Sequence, residues 1–280
     1  MSDADAAGCW QSLPVRRCAA SADRRSAPGT RPETTAEPVA RETAVALSYN
    51  DLSHVVMMMT PADLEDFAVG FSLSEGIIER PGQVYDIETH ERAQGIEVAI
   101  TLGNERFQHL KDLRRNLAGR TGCGLCGAES LEQALRPVPA VRCATVIEVA
   151  AIARALAMLD DFQPLQGTTG AAHGAAWCGA DGAILMVRED IGRHNALDKL
   201  IGALARAQQP PAAGFALISS RASYEMVSKA AHAGIGILVA VSAPTSLAVR
   251  TAHEAGITLA AFAREGRVSV YAGAERLATG

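Results

Sequence analysis

The sequence predicts an α/β protein, a parallel or mostly parallel sheet covered by helices, preceded by a smaller mixed α+β domain. Three observations predict it. In the C-terminal third, strand-like runs at 215–219, 237–241 and 257–262 alternate with helical segments at about 195–207, 223–233 and 246–255, the order of a helix-covered sheet. Upstream, two pairs of strand-like runs flank a single amphipathic helix. The chain has 280 residues and is 48% hydrophobic, enough for one large domain or two modest ones, each with its own core.

Taken in order, residues 1–38 are rich in Ala, Ser, Thr, Arg and Pro and poor in bulky apolar side chains, so they read as a disordered tail in which Cys9 and Cys18 are incidental exposed thiols. Residues 39–59 read as two strands around the turn Tyr49-Asn50-Asp51. Thr60 and Pro61 are placed at the N-cap and first position of a helix, with Asp63 completing a weak capping box. Leu64, Phe67, Ala68 and Phe71 repeat at helical spacing, and Gly76 supplies the stop. Strands at 84–89 and 96–102 complete a small domain over 39–118. Residues 119–130 form a loop expected to be mobile, because four glycines fall within 119–127 and no hydrophobic period crosses it. The second domain, 131–280, opens with a helix at 148–159 and a hairpin turning at Asp181-Gly182.

The 26 basic and 31 acidic side chains give a formal charge of −5, which disfavours nucleic acid as a general partner. No apolar run reaches the roughly 18 residues that span a bilayer. Arg16-Arg17 lacks the apolar segment of a twin-arginine leader, and a cytoplasmic location is expected.

Six cysteines, at 9, 18, 123, 126, 143 and 178, are too sparse and irregular for a disulfide framework. Cys123 and Cys126 stand apart, two thiols three positions apart within Thr121-Gly122-Cys123-Gly124-Leu125-Cys126-Gly127. Thiolates are the reactive forms, and this spacing lets one sulfur attack or tune the other. Half of a zinc site, a disulfide switch and a sulfur carrier all fit the loop. A structural zinc needs a second ligand pair, and only Cys143, Cys178 and His173 are scattered candidates for it.

Three strand-to-helix junctions gather polar side chains. One runs from Arg188 to Lys199 and includes Arg193, His194 and Asn195, with Asn195 readable as a helix cap. The second holds Ser219, Arg221 and Ser223, and the third Thr245 and Ser246. Capping explains each alone. Together, on neighbouring strands, they make an anion-friendly crevice of nucleotide size, although no P-loop or dinucleotide fingerprint is present.

These segments resemble the formate dehydrogenase accessory sulfurtransferases, the FdhD family, over about residues 39–276. The resemblance rests on Pro61-Ala62-Asp63-Leu64-Glu65-Asp66-Phe67 with Glu75-Gly76-Ile77-Ile78, the loop 122–127, and the stretches 189–199, 219–225, 241–248 and 255–258. It implies that a cysteine desulfurase loads sulfur on Cys123 as a persulfide. The sulfur then passes to the molybdenum of a bis(molybdopterin guanine dinucleotide) cofactor bound as substrate, which goes on to formate dehydrogenase. It also implies a cytidine-deaminase-like mixed sheet, a homodimer, and a cofactor-contacting turn at Phe262-Ala263-Arg264-Glu265-Gly266-Arg267, with no permanent cofactor. Physically, Phe262 suits a flat ring and Arg264 and Arg267 suit phosphate oxygens. His173 is assigned to the pocket lining.

Two other readings remain open. A zinc deaminase needs His-x-Glu followed by Pro-Cys-x-x-Cys, whereas His173-Gly174-Ala175 lacks the glutamate and the cysteine pair precedes it. A non-catalytic cofactor chaperone with a redox-sensing cysteine pair is the other.

Overall fold

The computed structural model describes residues 8–17, 33–118, 137–264 and 267–279. Strands β3 (Thr43–Tyr49) and β4 (Leu52–Met59) pair around Asn50 and Asp51, whose φ values of 45° and 65° give the left-handed turn that matches strand twist. Strand β6 (Gly95–Leu102) adds parallel to β3, and β5 (Val84–Arg92) antiparallel to β6. Alternate residues Val45, Leu47 and Tyr49 turn inward onto helix α1 (Leu64–Ser74), where Phe67, Ala68 and Phe71 complete this core. Helix α2 (Asn104–Ala118) follows β6 and contributes Leu110.

The C-terminal lobe is a six-stranded sheet in the order β13-β12-β11-β10-β8-β9, made of β8 (His173–Gly179), β9 (Ile184–Asp190), β10 (Gly214–Ile218), β11 (Ile237–Ala240), β12 (Thr258–Arg264) and β13 (Arg267–Ala272). Only β10-β11 and β11-β12 are parallel. The sheet is therefore mixed rather than mostly parallel. The β8–β9 and β12–β13 connections are too short for a crossover and force antiparallel pairing. Helices α5 (Arg193–Arg206), α6 (Tyr224–His232) and α7 (Ser246–Ala255) cover one face around Trp177, and α3 (Val149–Met158) covers the other around Phe215. Buried on both faces, β10 and β11 read as continuous apolar runs. Short strands β7 (Ile147–Glu148) and β14 (Leu277–Ala278) pair at the periphery, and α4 (Pro164–Thr169) leads into β8.

The lobes meet along α1 and α5 at backbone distance. A Cβ on Gly70 would lie 1.7 Å from the Asp198 carbonyl oxygen, and one on Gly202 would lie 1.8 Å from that of Asp66. Glycine at both crossing points is what lets the helices touch. Charges close the seam: the Asp66 carboxylate accepts from Arg188 Nε at 2.8 Å and Arg206 Nη1 at 2.5 Å, joining α1 to β9 and α5.

Three local expectations need correction. Part of the segment 1–38 is ordered: β1 (Trp10–Arg17) pairs antiparallel with β2 (Glu33–Ala40), and Cys9 is buried with Leu165 and Ala172 rather than exposed. A two-stranded hairpin seated on α4 needs few bulky residues of its own, which is why composition concealed it. Cys18 lies outside the described residues. Thr60 is not the cap of α1; Asp63 takes the N-cap position at φ 54° with no side-chain cap bond, and the Thr60 hydroxyl is drawn into the lobe interface. Gly192, not Asn195, occupies the N-cap of α5.

Candidate functional site

Because β10, β11 and β12 run parallel, their carboxyl ends finish on one edge of the sheet. Antiparallel pairing brings the start of β8 and the end of β9 to that same edge. Ser219, Ser242, Phe262, His173 and Asp190 are thereby gathered from distant parts of the sequence. Gly174 ties the start of β8 to Ser219: its N–H donates to Ser219 Oγ at 2.9 Å, and its carbonyl accepts from the Ser219 N–H at 2.9 Å.

His173 lies opposite Asp190 in register, half-buried. Burial, and then the Arg193 guanidinium, hold its imidazole below the usual histidine range against the pull of Asp190, so it is neutral near pH 7. His194 is lowered in the same way by burial and Arg193, opposed by Glu225. Its Nε2 lies 3.2 Å from Glu225 Oε2, and Ser223 Oγ donates to that oxygen at 3.0 Å. With glutamate in the middle, this trio is a hydrogen-bonded surface cluster, without the hydroxyl-to-imidazole contact that would activate a serine.

Directly beneath stands a charge knot that sequence reasoning missed. Asp190 and Lys199 are both 0% exposed, and Lys199 Nζ donates to Asp190 Oδ2 at 2.7 Å and to Thr60 Oγ1 at 2.7 Å. The same Oδ2 accepts from the Thr60 amide at 3.0 Å and hydroxyl at 2.8 Å. Oδ1 accepts from the Gly192 amide at 2.8 Å and Asn195 Nδ2 at 3.1 Å. Five donors compensate the desolvated carboxylate and lock the lobes together at the site's floor. Asn195, 4% exposed and bonded also to the Met58 carbonyl, is committed to this knot rather than to a ligand. Next to it, buried Glu189 accepts from the amides of Leu165 and Gln166 at 2.9 and 2.8 Å, fixing the start of α4; burial pushes its carboxyl up while those amides oppose the shift. The signal was in the sequence: two acidic residues closing a strand that opens with four apolar residues, followed nine positions after the second by a lysine on the inner face of a helix.

The remaining expected positions divide. Arg221, Thr245 and Ser246 are exposed at the edge. Thr245 acts as a cap, accepting from Ala248 N at 3.2 Å. Phe262 is 37% exposed with φ 52°, next to a strand irregularity, and its N–H donates to the Ser242 carbonyl at 3.3 Å. A bulky aromatic in the left-handed region is a locally strained backbone position. Ala263 is buried and points away; Arg264 and Arg267 flank the hairpin turn, while Glu265 and Gly266 lie outside the described residues. Cys123 and Cys126 also lie outside them.

Among the described residues no three His, Cys, Asp or Glu side chains are grouped to hold a metal, and no helix is long and apolar enough to cross a membrane. Cys178 is encased in the core, where burial pushes its thiol up to about 12. Elemental analysis of the purified chain is expected to find no stoichiometric metal. One zinc per chain, lost on replacing Cys123 or Cys126, would instead make the pair a metal site.

Comparison with known proteins agrees with this architecture. Residues 40–278 match the FdhD/NarQ family. A "Sulfur carrier protein FdhD" of Cupriavidus necator is 57% identical over 241 residues, covering 86% of this chain and 84% of the relative. One from Xanthomonas campestris pv. campestris is 49% identical over 269 residues, 96% of each chain. The fold is similar to that of a crystallised candidate formate dehydrogenase accessory protein from Desulfotalea psychrophila, with TM-score 0.70 and 25% identity over 96% of this chain and 98% of that one. On a match spanning both lobes and relatives this similar over most of their length, the chain belongs to the FdhD/NarQ family.

Proposed function

We propose that this chain is a sulfur carrier that takes sulfur from a cysteine desulfurase and delivers it to the bis(molybdopterin guanine dinucleotide) cofactor of a formate dehydrogenase. The observation that carries the reading is the Cys123-Gly124-Leu125-Cys126 pair in a chain whose relatives are named sulfur carriers. In the loading step the Cys123 thiolate attacks the terminal sulfur of the donor's persulfide. The donor cysteine leaves as thiolate and Cys123 keeps the extra sulfur. Attack by the Cys126 thiolate on Cys123 Sγ then expels hydrosulfide toward the cofactor and leaves a disulfide, which a cellular dithiol reduces. The reading keeps a cytidine-deaminase-like fold without its hydrolytic chemistry, and includes a cytoplasmic homodimer.

The carboxyl edge is the cofactor-binding face in this reading. Phe262 offers a ring surface, and Arg264 and Arg267 stand at the turn beside it. Replacing both arginines by alanine is expected to weaken GDP binding, read by calorimetry, by about 2–4 kcal/mol, the loss of two charge-assisted contacts, while Cys123 accepts sulfur at a normal rate. Unchanged affinity would move the phosphates to the Ser219 and Thr245 junctions. The function itself is tested by mass spectrometry after incubation with desulfurase and cysteine: one added sulfur atom, removable by a thiol reductant, is expected.

A further inference from the structure

The four-stranded sheet of the N-terminal lobe buries one side against α1 and α2. Register assigns its outer side: Met58 lies opposite Ala44, Val56 opposite Ala46, and Glu88 opposite Ala99. Val56 is 50% exposed and Met58 48%, and neither joins the core of the lobe. The two edges of this sheet differ in chemistry. Edge strand β5 carries Asp86, Glu88, Glu91 and Arg92, the kind of charges that guard a sheet edge against unwanted pairing. Edge strand β4, Leu-Ser-His-Val-Val-Met-Met-Met, has no Asp, Glu, Lys or Arg. The β4 side of the outer face is therefore an unguarded apolar strip. The β5 side is an acidic margin: Asp86 and Glu88 are exposed, and Arg92 on the same strand is tied to Glu97 at 2.7 Å.

We infer that this outer face of the N-terminal lobe is where the sulfur-donating protein docks, through an apolar ridge bordered by basic side chains. The inference rests on the sulfur-carrier reading above and adds the surface that the donor uses. Three observations choose this occupant. A second copy fits poorly: two such faces stacked about a two-fold axis set either acid against acid or acid against Val56 and Met58, in a chain whose formal charge is −5. The phosphate-bearing cofactor is repelled by the same margin. The face also belongs to the lobe that ends in α2, and Cys123 follows that helix by five residues, at most about 18 Å of extended chain. A donor seated here stands within reach of Cys123, while the proposed cofactor-binding face lies on the other lobe.

The test follows persulfide loading of the full chain from two sources. One is the purified cysteine desulfurase of the same organism with cysteine. The other is glutathione persulfide, which needs no docking: the Cys123 thiolate takes its outer sulfur and glutathione leaves as thiolate. Val56→Glu with Met58→Glu should slow loading by the desulfurase more than about tenfold, the scale of one lost interface anchor, and leave loading by glutathione persulfide unchanged. Both side chains are exposed, so the fold should persist; if that variant does not fold, Val56→Ser with Met58→Ser serves in its place. Asp86→Lys with Glu88→Lys should slow enzymatic loading strongly at low salt and little at high salt. If desulfurase loading is unchanged in the apolar and the charge variants, the docking inference is overturned and the carrier reading stands. Equal slowing with both sulfur sources places the defect at Cys123 and overturns the inference as well. So does a dimer in sedimentation that Val56→Glu with Met58→Glu dissolves while loading keeps its rate, because the face then belongs to a second copy. Wild type that gains no sulfur from the desulfurase overturns both the docking inference and the reading it rests on.

Discussion

Cys123→Ala is expected to reduce formate dehydrogenase activity, in cells relying on this carrier, to the background seen without it, while the variant folds normally. In the proposed reading Cys123 holds the persulfide, so its removal leaves no atom to carry the cargo and the loss should be complete rather than graded. Cys126→Ala is expected to load sulfur from the desulfurase and fail at delivery, because the thiolate that expels hydrosulfide is gone. Two measurements check this: persulfide content by mass spectrometry after loading, and formate dehydrogenase activity on co-expression. Full loading of Cys123→Ala would remove Cys123 from its role. Equal loading of both cysteines in wild type would turn the pair into a relay.

The second large effect is expected in stability. Asp190→Ala should destabilise the protein by about 3–5 kcal/mol, because it strips the countercharge from a lysine that is wholly enclosed and orphans the amides of Thr60 and Gly192. In a chain of this size each kcal/mol moves the melting midpoint by roughly 2–4 °C, so a midpoint lower by about 6–20 °C is expected in calorimetric scans. Pairing Asp190→Leu with Lys199→Met removes both charges at similar volume and should recover much of that loss. A single variant melting within about 2 °C of wild type would show that the knot contributes little. The contrast between the single and the paired variant isolates the unpaired charge from the loss of packing.

The legibility of the chain follows physical lines. The strands and helices of the C-terminal lobe were readable because each buries an apolar face whose period is written locally: Phe215, Leu217, Ile237 and Val239 on strands, Leu197, Leu200, Ile201 and Leu204 on a helix. The β3–β4 turn was readable because Asn50 and Asp51 tolerate positive φ. Strand direction was less so. The short β8–β9 and β12–β13 connections turn a sheet expected to be mostly parallel into a mixed one, and strand β1 in the expected tail depends on packing against α4 that no local pattern announces.

For the site, the sequence by itself determined the chemistry on offer: the Cys123–Cys126 spacing, the hydroxyl-rich junctions, His173 and the Phe262 turn, all of them short motifs whose meaning survives without coordinates. Only the tertiary structure decided which polar groups stay exposed at the sheet edge and which hold the frame. Thr60, Asn195 and Thr245 look like crevice or cap residues in one dimension, yet the first two are consumed by Asp190 and Lys199 and the third caps α7. The reason is the same in each case: a hydrogen bond's cost or benefit depends on whether its partner is water or protein. That is settled by which segments, 130 or more residues apart for Thr60 and Asp190, are folded against one another.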